Sequence, residues 1–526
     1  MHSVRKPLPA SRARRARAGR AVRAGRPGPP ARLPARPRAG FAVVTAVVLA
    51  LGAAACSSPG SGAGADGPGA RGVEGAPQVP PVLRLIGDGS TADTSAQPRQ
   101  PGARKLRPGE RPPQFVVFSW DGAVQDDRRL LSYVREFGER DGAAMTYFVS
   151  GVSLLPAGHA DLYAPPRHPR GTSDTGLPRD PATVAATVQQ MRLAWADGSE
   201  IGTYFNGHFC GQDAGASPDA GEGPGGAGGT AGAAGEAAGA GSPGGTGPAD
   251  AADGPDSASG GWTAAEWGAE IRQAGDLTRQ WKTTTGLAAA DPLPFDYAKA
   301  VVGGRPPCLS DPAGLPAAAA AAGFRYLADP TPQPQVWPAR SGGLWRFPLQ
   351  EVPVPGRDTE TPASDQGFLS VQSGTPVAGA QDPQQNAAWQ EQMHDGLMAG
   401  FARAYQGNRA PLVVASHLES WNGGAYLKAV EDTVRDVCGK PDVRCVSFAQ
   451  LADWLDAQDP KVLDRLRALD VGQAPQGGWT ALMRPTPTPS AVDEGAAGAG
   501  AVPASPTPGA PGSAAAPAEP VRPDGR

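Results

Sequence analysis

Between Phe115 and Leu469, short runs rich in β-branched and aromatic residues alternate with longer stretches whose apolar groups recur at helical spacing. This alternation leaves few folds open. Phe115-Val-Val-Phe-Ser119 reads as a strand, and residues 126–139 carry Leu130, Leu131, Val134 and Phe137 on one helical face. The order then repeats, with strands over 144–149 and 200–205, a helix over 182–196, and a helix over 263–285 bearing Trp267, Ile271, Leu277 and Trp281. Further strands are predicted at 325–328, 345–352, 411–416 and 443–448, and helices at 387–405, 423–437 and 447–457. A parallel strand pair needs a long crossover, so strands joined through helices of this length imply an α/β fold with a parallel sheet, open or closed into a barrel. Functional groups are then expected at the C-terminal ends of the strands.

The rest of the chain cannot build a core. Its 72 Gly and 58 Pro are too many for uniform globular structure. Residues 57–112 read as a disordered linker, 211–261 as a disordered Gly/Ala-rich insertion and 471–526 as a disordered tail, leaving one domain over 113–470. Residues 1–55 have the order of a signal peptide: a basic head, an apolar run from Phe41, and small residues before Cys56. The run is about 15 residues, short of the roughly 20 that span a bilayer. Ala53-Ala54-Ala55-Cys56 resembles a bacterial lipobox, so Cys56 is expected to carry lipid and to anchor the protein at the outer face of the cell membrane. An ordinary secretory signal, giving a secreted protein, is the alternative. Twelve of the 48 basic residues lie in the first 40, which leaves 36 against 51 acidic groups in the mature chain. So acidic a body repels nucleic acid, and no dense basic stripe follows residue 60, so a nucleic-acid partner is excluded.

Besides Cys56 there are four cysteines: Cys210, Cys308, Cys438 and Cys445. An even number suits disulfides in an oxidising compartment. Cys438 and Cys445 are close in sequence and are paired on that ground, which leaves Cys210 with Cys308; four cysteines permit three pairings. No Cys-x-x-Cys occurs, which speaks against a zinc site built from thiols alone.

The expected strand ends carry unusual polar groups: Ser119-Trp120-Asp121-Gly122, Tyr204-Phe-Asn206-Gly-His208-Phe-Cys210 and Ser416-His417-Leu-Glu419, with Arg305-Pro-Pro-Cys308 between the last two. An Asp, two His and an Arg converging on one rim point to a metal-assisted hydrolase, in which a divalent ion activates water and His or Asp moves protons.

The succession FVVFSWDGA, GAAMTYFVSG, EIGTYFNGHF, RPPCL, FRYLADP, LVVASHLESWNGG and VRCVSFAQLADWL resembles the polysaccharide deacetylase (NodB-homology, carbohydrate esterase) family in that family's own order, over residues 113–458. The resemblance implies a distorted, incomplete (β/α) barrel, a divalent metal, commonly zinc, and removal of acetyl groups from cell-wall or extracellular glycan. Carried over position by position, it makes Asp121 and His208 metal ligands, Arg305 the group that orients the base, Asp329 the acidic residue of the fourth motif, and His417 the general acid. Two positions are substituted: Trp120 stands where the family has its base, and Tyr204 where it has another His ligand. An indole cannot accept a proton from water, and a phenol of pKa about 10 is a poor zinc ligand beside an imidazole. Asn206 or Cys210 can complete a different shell, although Cys210 cannot both bind metal and sit in a disulfide.

Plainer readings stand beside these. Asp121-Gly122 is a common turn pair, a lone His at a rim is often only polar surface, and Trp120, Tyr204, Trp337, Trp345 and Trp421 either pack the core or floor a sugar groove. Two functions follow: a surface lipoprotein that deacetylates glycan through metal-activated water, or a catalytically impaired glycan-binding or envelope-interaction lipoprotein that reuses the fold. Thiol titration of the mature domain under denaturing, non-reducing conditions is expected to find no free cysteine. A free thiol at Cys210 restores it as a candidate ligand.

Overall fold

The computed structural model describes residues 83–94, 96–210, 259–308, 312–375 and 382–484. The expected signal segment 1–55, Cys56, residues 57–82, residues 211–258 of the insertion and the tail beyond 484 lie outside the described residues.

Six strands follow one another across a sheet in chain order: β1 (Gln114–Asp121), β2 (Thr146–Val149), β3 (Glu200–Thr203), β4 (Gly303–Gly304), β5 (Tyr326–Leu327) and β6 (Leu344–Arg346), every neighbouring pair parallel. Beyond them, β7 spans Leu349–Pro353, β8 Leu412–His417 and β9 Val443–Cys445. β8 and β9 both pair with β1 in parallel. The run from β6 into β7 follows β5, with Phe347 N on Leu327 O (3.0 Å) and Leu349 N on Asp329 O (3.1 Å). It then meets β8, where Val413 N donates to the Gln350 side chain (3.0 Å) and Ala415 N to Ala363 O (3.1 Å). The sheet is thereby curled into a distorted, incomplete barrel, the expected fold class. The strand predicted over 345–352 is broken in two because Pro348 has no N–H to give to a ladder.

Helices α1 (Leu130–Arg140), α2 (Pro181–Ala196), α3 (Ala264–Arg279), α4 (Asp365–Gln372), α5 (Pro383–Gln406), α6 (Trp421–Cys438) and α7 (Phe448–Asp456) complete the layers. Their starts are set locally. Asp180 caps α2 ahead of Pro181, and capping boxes open α3 (Thr263 with Glu266) and α7 (Ser447 with Gln450).

Period-two alternation along β1 sorts two cores. Val116, Phe118 and Trp120 join the cluster with Leu131, Val134 and Phe137 of α1, whereas Phe115 and Val117 join an inner cluster with Phe148, Tyr326, Phe347 and Phe448. Phe448 comes from α7, and its ring lies 5.8, 5.4 and 5.2 Å from those of Phe148, Tyr326 and Phe347. Buried Glu200 anchors the first turn of α7 by accepting Ala449 N (2.9 Å), along with Tyr326 OH (2.7 Å) and Thr146 Oγ1 (3.0 Å). These aromatics floor the barrel beneath its mouth.

The structured unit is longer than composition suggested. Residues 83–112, expected as linker, include a hairpin of Arg84–Ile86 and Thr91–Asp93. Trp281 Nε1 donates to Ser90 O (2.8 Å), Gln97 Nε2 to Ser199 O (2.6 Å), and Leu106 N to Gln458 Oε1 (2.8 Å). Hydrogen bonds to the domain, rather than an apolar face of its own, hold this segment, so its composition hid it. At the other end, short helices Pro460–Arg467 and Gly478–Leu482 carry structure past 470, with Met483 buried. None of the described helices is long and apolar enough to cross a membrane.

Gly151, just after β2, lets α3 and the loop after β3 close together. A Cβ there would lie 2.4 Å from Asn206 Oδ1 and 2.7 Å from Ala274 Cα. Gly151→Ala is expected to lower stability by about 1–3 kcal/mol, the usual cost of overpacking, read as a reduced urea midpoint at unchanged slope.

Candidate functional site at the barrel mouth

The alternation that turns Phe115 and Val117 inward also turns Ser119 and Asp121 inward, at the C-terminal end of β1. Register then places His417, the last residue of β8, directly beside Asp121, and Ser416 beside Trp120. The family-like residues of two distant segments therefore meet on adjacent strands.

Trp120 faces the other way. It is 0% exposed, its Nε1 lies 3.1 Å from Met145 Sδ, and its ring packs edge-on to Phe137 at 6.0 Å. A side chain on the helix side of the sheet can neither serve as a base nor stack on a sugar in the barrel. Tyr204, Trp337 and Trp345 are buried as well; of the aromatics considered as a groove floor only Trp421 is partly exposed, with its ring 5.3 Å from that of His417.

His417 is held by Asp365. Its Nδ1 lies 3.1 Å from Asp365 Oδ1 and 3.3 Å from Oδ2, and its backbone N–H donates to Oδ2 at 2.7 Å. Asp365 opens α4 after the N-cap Ser364 and also accepts Gln366 N (2.8 Å). Asp365 is 3% exposed in its side chain and His417 15%, so the carboxylate lies behind the imidazole. Sequence reasoning missed Asp365. Ser364-Asp365 before an apolar run was readable as a helix start, but nothing in the sequence shows which histidine that start faces.

Arg305 holds Asp121. Its Nε lies 3.0 Å from Asp121 Oδ1, with side chains 3% and 7% exposed, and Nη2 donates to Ser119 Oγ at 3.0 Å. The guanidinium spreads over the aromatic floor, 5.3 Å from the Phe148 ring and 6.0 Å from Phe448. Asp329, assigned to the fourth motif, takes an arginine of its own: Arg346 Nε reaches both carboxylate oxygens at 2.8 Å, and Nη2 reaches Oδ1 at 2.5 Å. His417 thus pairs with Asp365, and Asp329 is tied to the β6 side of the barrel.

Tyr204 and His208 lie in the loop after β3, their rings 4.8 Å apart. Phe205 (φ 60°) and His208 (φ 58°) hold left-handed conformations that non-glycine residues adopt only under constraint. The constraint is Glu270 of α3, a helical acidic residue of the kind that usually forms a solvated face. It is buried, accepts Gly207 N (3.1 Å) and Tyr163 OH (2.9 Å), and its carbonyl accepts Asn206 Nδ2 (3.0 Å). Burial pushes the Glu270 carboxyl pKa up, while the bonds from Gly207, Tyr163 and Asn206 act against that rise. Disulfides join Cys210 to Cys308 (Cα–Cα 5.8 Å) and Cys438 to Cys445 (5.5 Å), as paired from sequence. The first ties the His208 loop to the Arg305 loop.

These residues do not fit the divalent ion that the sequence pattern implies. A guanidinium beside Asp121 opposes a second cation there, Tyr204 supplies a phenol, and Trp120 is turned away. His208 does lie near two sulfurs, with its ligand atom and those of Cys210 and Cys308 all within 4.8 Å of one another, but the sulfurs are bonded to each other.

No family model matches the chain, and no curated protein matches it in sequence. Solved structures to which the chain shows some similarity include a Mycobacterium smegmatis protein assigned to the polysaccharide deacetylases, 11% identical with a TM-score of 0.36, covering 68% of this chain and 96% of that one. A family 4 carbohydrate esterase from Streptomyces lividans in complex with acetate is 10% identical with a TM-score of 0.27, covering 61% and 88%. A mutant of a pseudoenzyme of the same esterase family, with restored activity, is 8% identical with a TM-score of 0.28, covering 66% and 69%.

Arg305→Met removes the guanidinium beside the buried Asp121 carboxylate and is expected to cost about 3–5 kcal/mol. Arg305→Met combined with Asp121→Asn is expected to recover most of that loss. Urea denaturation of the two single variants and the double variant measures the coupling, and additive losses would contradict the pairing.

Proposed function

We propose that the chain is an exported, lipid-anchored protein of the polysaccharide deacetylase fold, whose barrel mouth hydrolyses acetyl esters on extracellular or cell-wall glycan through His417 and Asp365. The single observation that carries this reading is the His417 Nδ1 to Asp365 Oδ1 contact of 3.1 Å, made at a strand's C-terminal end and in register with Asp121. With Nδ1 held by Asp365, the His417 imidazole takes a proton from water through Nε2 and returns it to the departing sugar oxygen. Asp365 holds the ring and offsets its charge when it is protonated. The metal half of the family's machinery is replaced by the Arg305–Asp121 pair, so carbonyl activation is weak. That favours an ester, with its alkoxide leaving group, over an acetamide. Lipid attachment at Cys56 keeps the site outside the membrane, where such glycan is found.

A second reading, glycan binding without turnover, is favoured by the same pair: Asp121 is neutralised, and Trp120 and Tyr204 stand where the family has a base and a ligand.

Acetate release from O-acetylated xylan and from N-acetylated chitin oligomers separates the two. The expected result is slow release from the ester only, unchanged by a chelator. His417→Gln is expected to lower it by about 10²-fold, the lower range for loss of one acid–base group, and Asp365→Asn to displace its pH profile. Retained glycan affinity with no acetate from either substrate would establish the binding reading instead.

A further inference from the structure

We infer that the Cys210–Cys308 disulfide is a redox gate over a latent metal site, formed by its two sulfurs and His208, which takes up zinc once the disulfide is reduced. The ligand atoms of these three residues lie within 4.8 Å of one another. Zinc holds thiolate at about 2.3 Å and imidazole at about 2.0–2.1 Å, so the sulfurs need only part by a few ångströms to share one ion. Both cysteines are partly exposed and open to a reductant, whereas His208 is buried.

The loop that carries His208 has a hold besides the disulfide. Glu270 grips the His208 loop through Gly207 N (3.1 Å) and Asn206 Nδ2 (3.0 Å), contacts that reduction does not touch. The sulfurs come from two different loops, and Cys308 (φ 67°) shares with His208 (φ 58°) a left-handed backbone that fixes its side-chain direction. Three protein ligands leave a fourth position for water, the pattern of a catalytic rather than a structural zinc. Neither Asp121 nor Arg305 belongs to this group of ligand atoms.

The chemistry closes. A dithiol reductant gives two electrons and two protons to the disulfide, the S–S bond breaks to two thiols, and the reductant leaves as its own disulfide. Zinc then displaces the two thiol protons to solvent and accepts a lone pair from His208. The proposal goes beyond the hydrolytic reading and stands if that reading fails, because metal uptake is measured without substrate.

The test uses the Cys438→Ser, Cys445→Ser protein, which leaves one disulfide in the domain. It is incubated with zinc, either oxidised or after phosphine reduction, gel-filtered without oxygen and assayed for metal. The reduced form is expected to retain about one zinc per chain and the oxidised form none. Cobalt in place of zinc is expected to add thiolate-to-metal charge-transfer absorption in the reduced form alone. His208→Ala should lower zinc affinity at least about tenfold, the minimum for loss of a supporting group and so a lower bound for a ligand. No zinc on the folded, reduced protein, equal uptake by the oxidised form, or full affinity after His208→Ala would each overturn the proposal. Should the test protein fail to fold, reduced wild-type chain compared with reduced Cys210→Ser, Cys308→Ser chain isolates the same pair, and equal uptake would again overturn it.

Discussion

Where the parallel strands end, Arg305 Nε and Asp121 Oδ1 lie 3.0 Å apart with almost no water around either side chain. Each charge offsets the burial of the other, since a single buried ion carries a desolvation penalty of several kcal/mol. The pair therefore binds two distant segments, the end of β1 and the loop after β4. It also sets the local field: a carboxylate already matched by a guanidinium is a poor host for a second cation. The remaining contacts of the guanidinium, to Ser119 and the faces of Phe148 and Phe448, make the pair part of the barrel's packing rather than a detachable surface bridge.

Around this pair the mouth divides into two sides. On one side β8 presents His417, and α4 supplies the carboxylate that orients it. On the other side the loop after β3 carries Tyr204 and His208 in a backbone imposed by Glu270 and by the Cys210–Cys308 link. The His417 side keeps an arrangement able to move protons, and the His208 side keeps donors that are chemically locked. A barrel whose strand ends face one opening brings such independent halves within reach of one substrate, whatever their separate states.

Much of the fold was legible along the chain. Strand and helix periods were visible because each element buries one face, and the parallel sheet followed from the long helical connections. The edges were less so: residues 83–112 are ordered by bonds made to Ser199, Trp281 and Gln458, which no local composition reports. The site was legible in its residue types, Asp121, His208, Arg305 and His417, but not in its pairings. Asp365 and Glu270 carry no motif of their own, and each acquired its role from a partner 52 or 63 residues away.

What the sequence by itself determined is the alternation that makes a parallel barrel, the polar groups at its strand ends and the substitutions at Trp120 and Tyr204. These are properties of residue type and period, which do not depend on distant contacts. What only the tertiary structure decided is the direction of each group and its counter-charge: Trp120 outward, Asp121 onto Arg305, Asp329 onto Arg346, and His417 onto Asp365. Ion pairing and side-chain direction depend on which strands become neighbours and in what register, and that is settled only when the sheet closes.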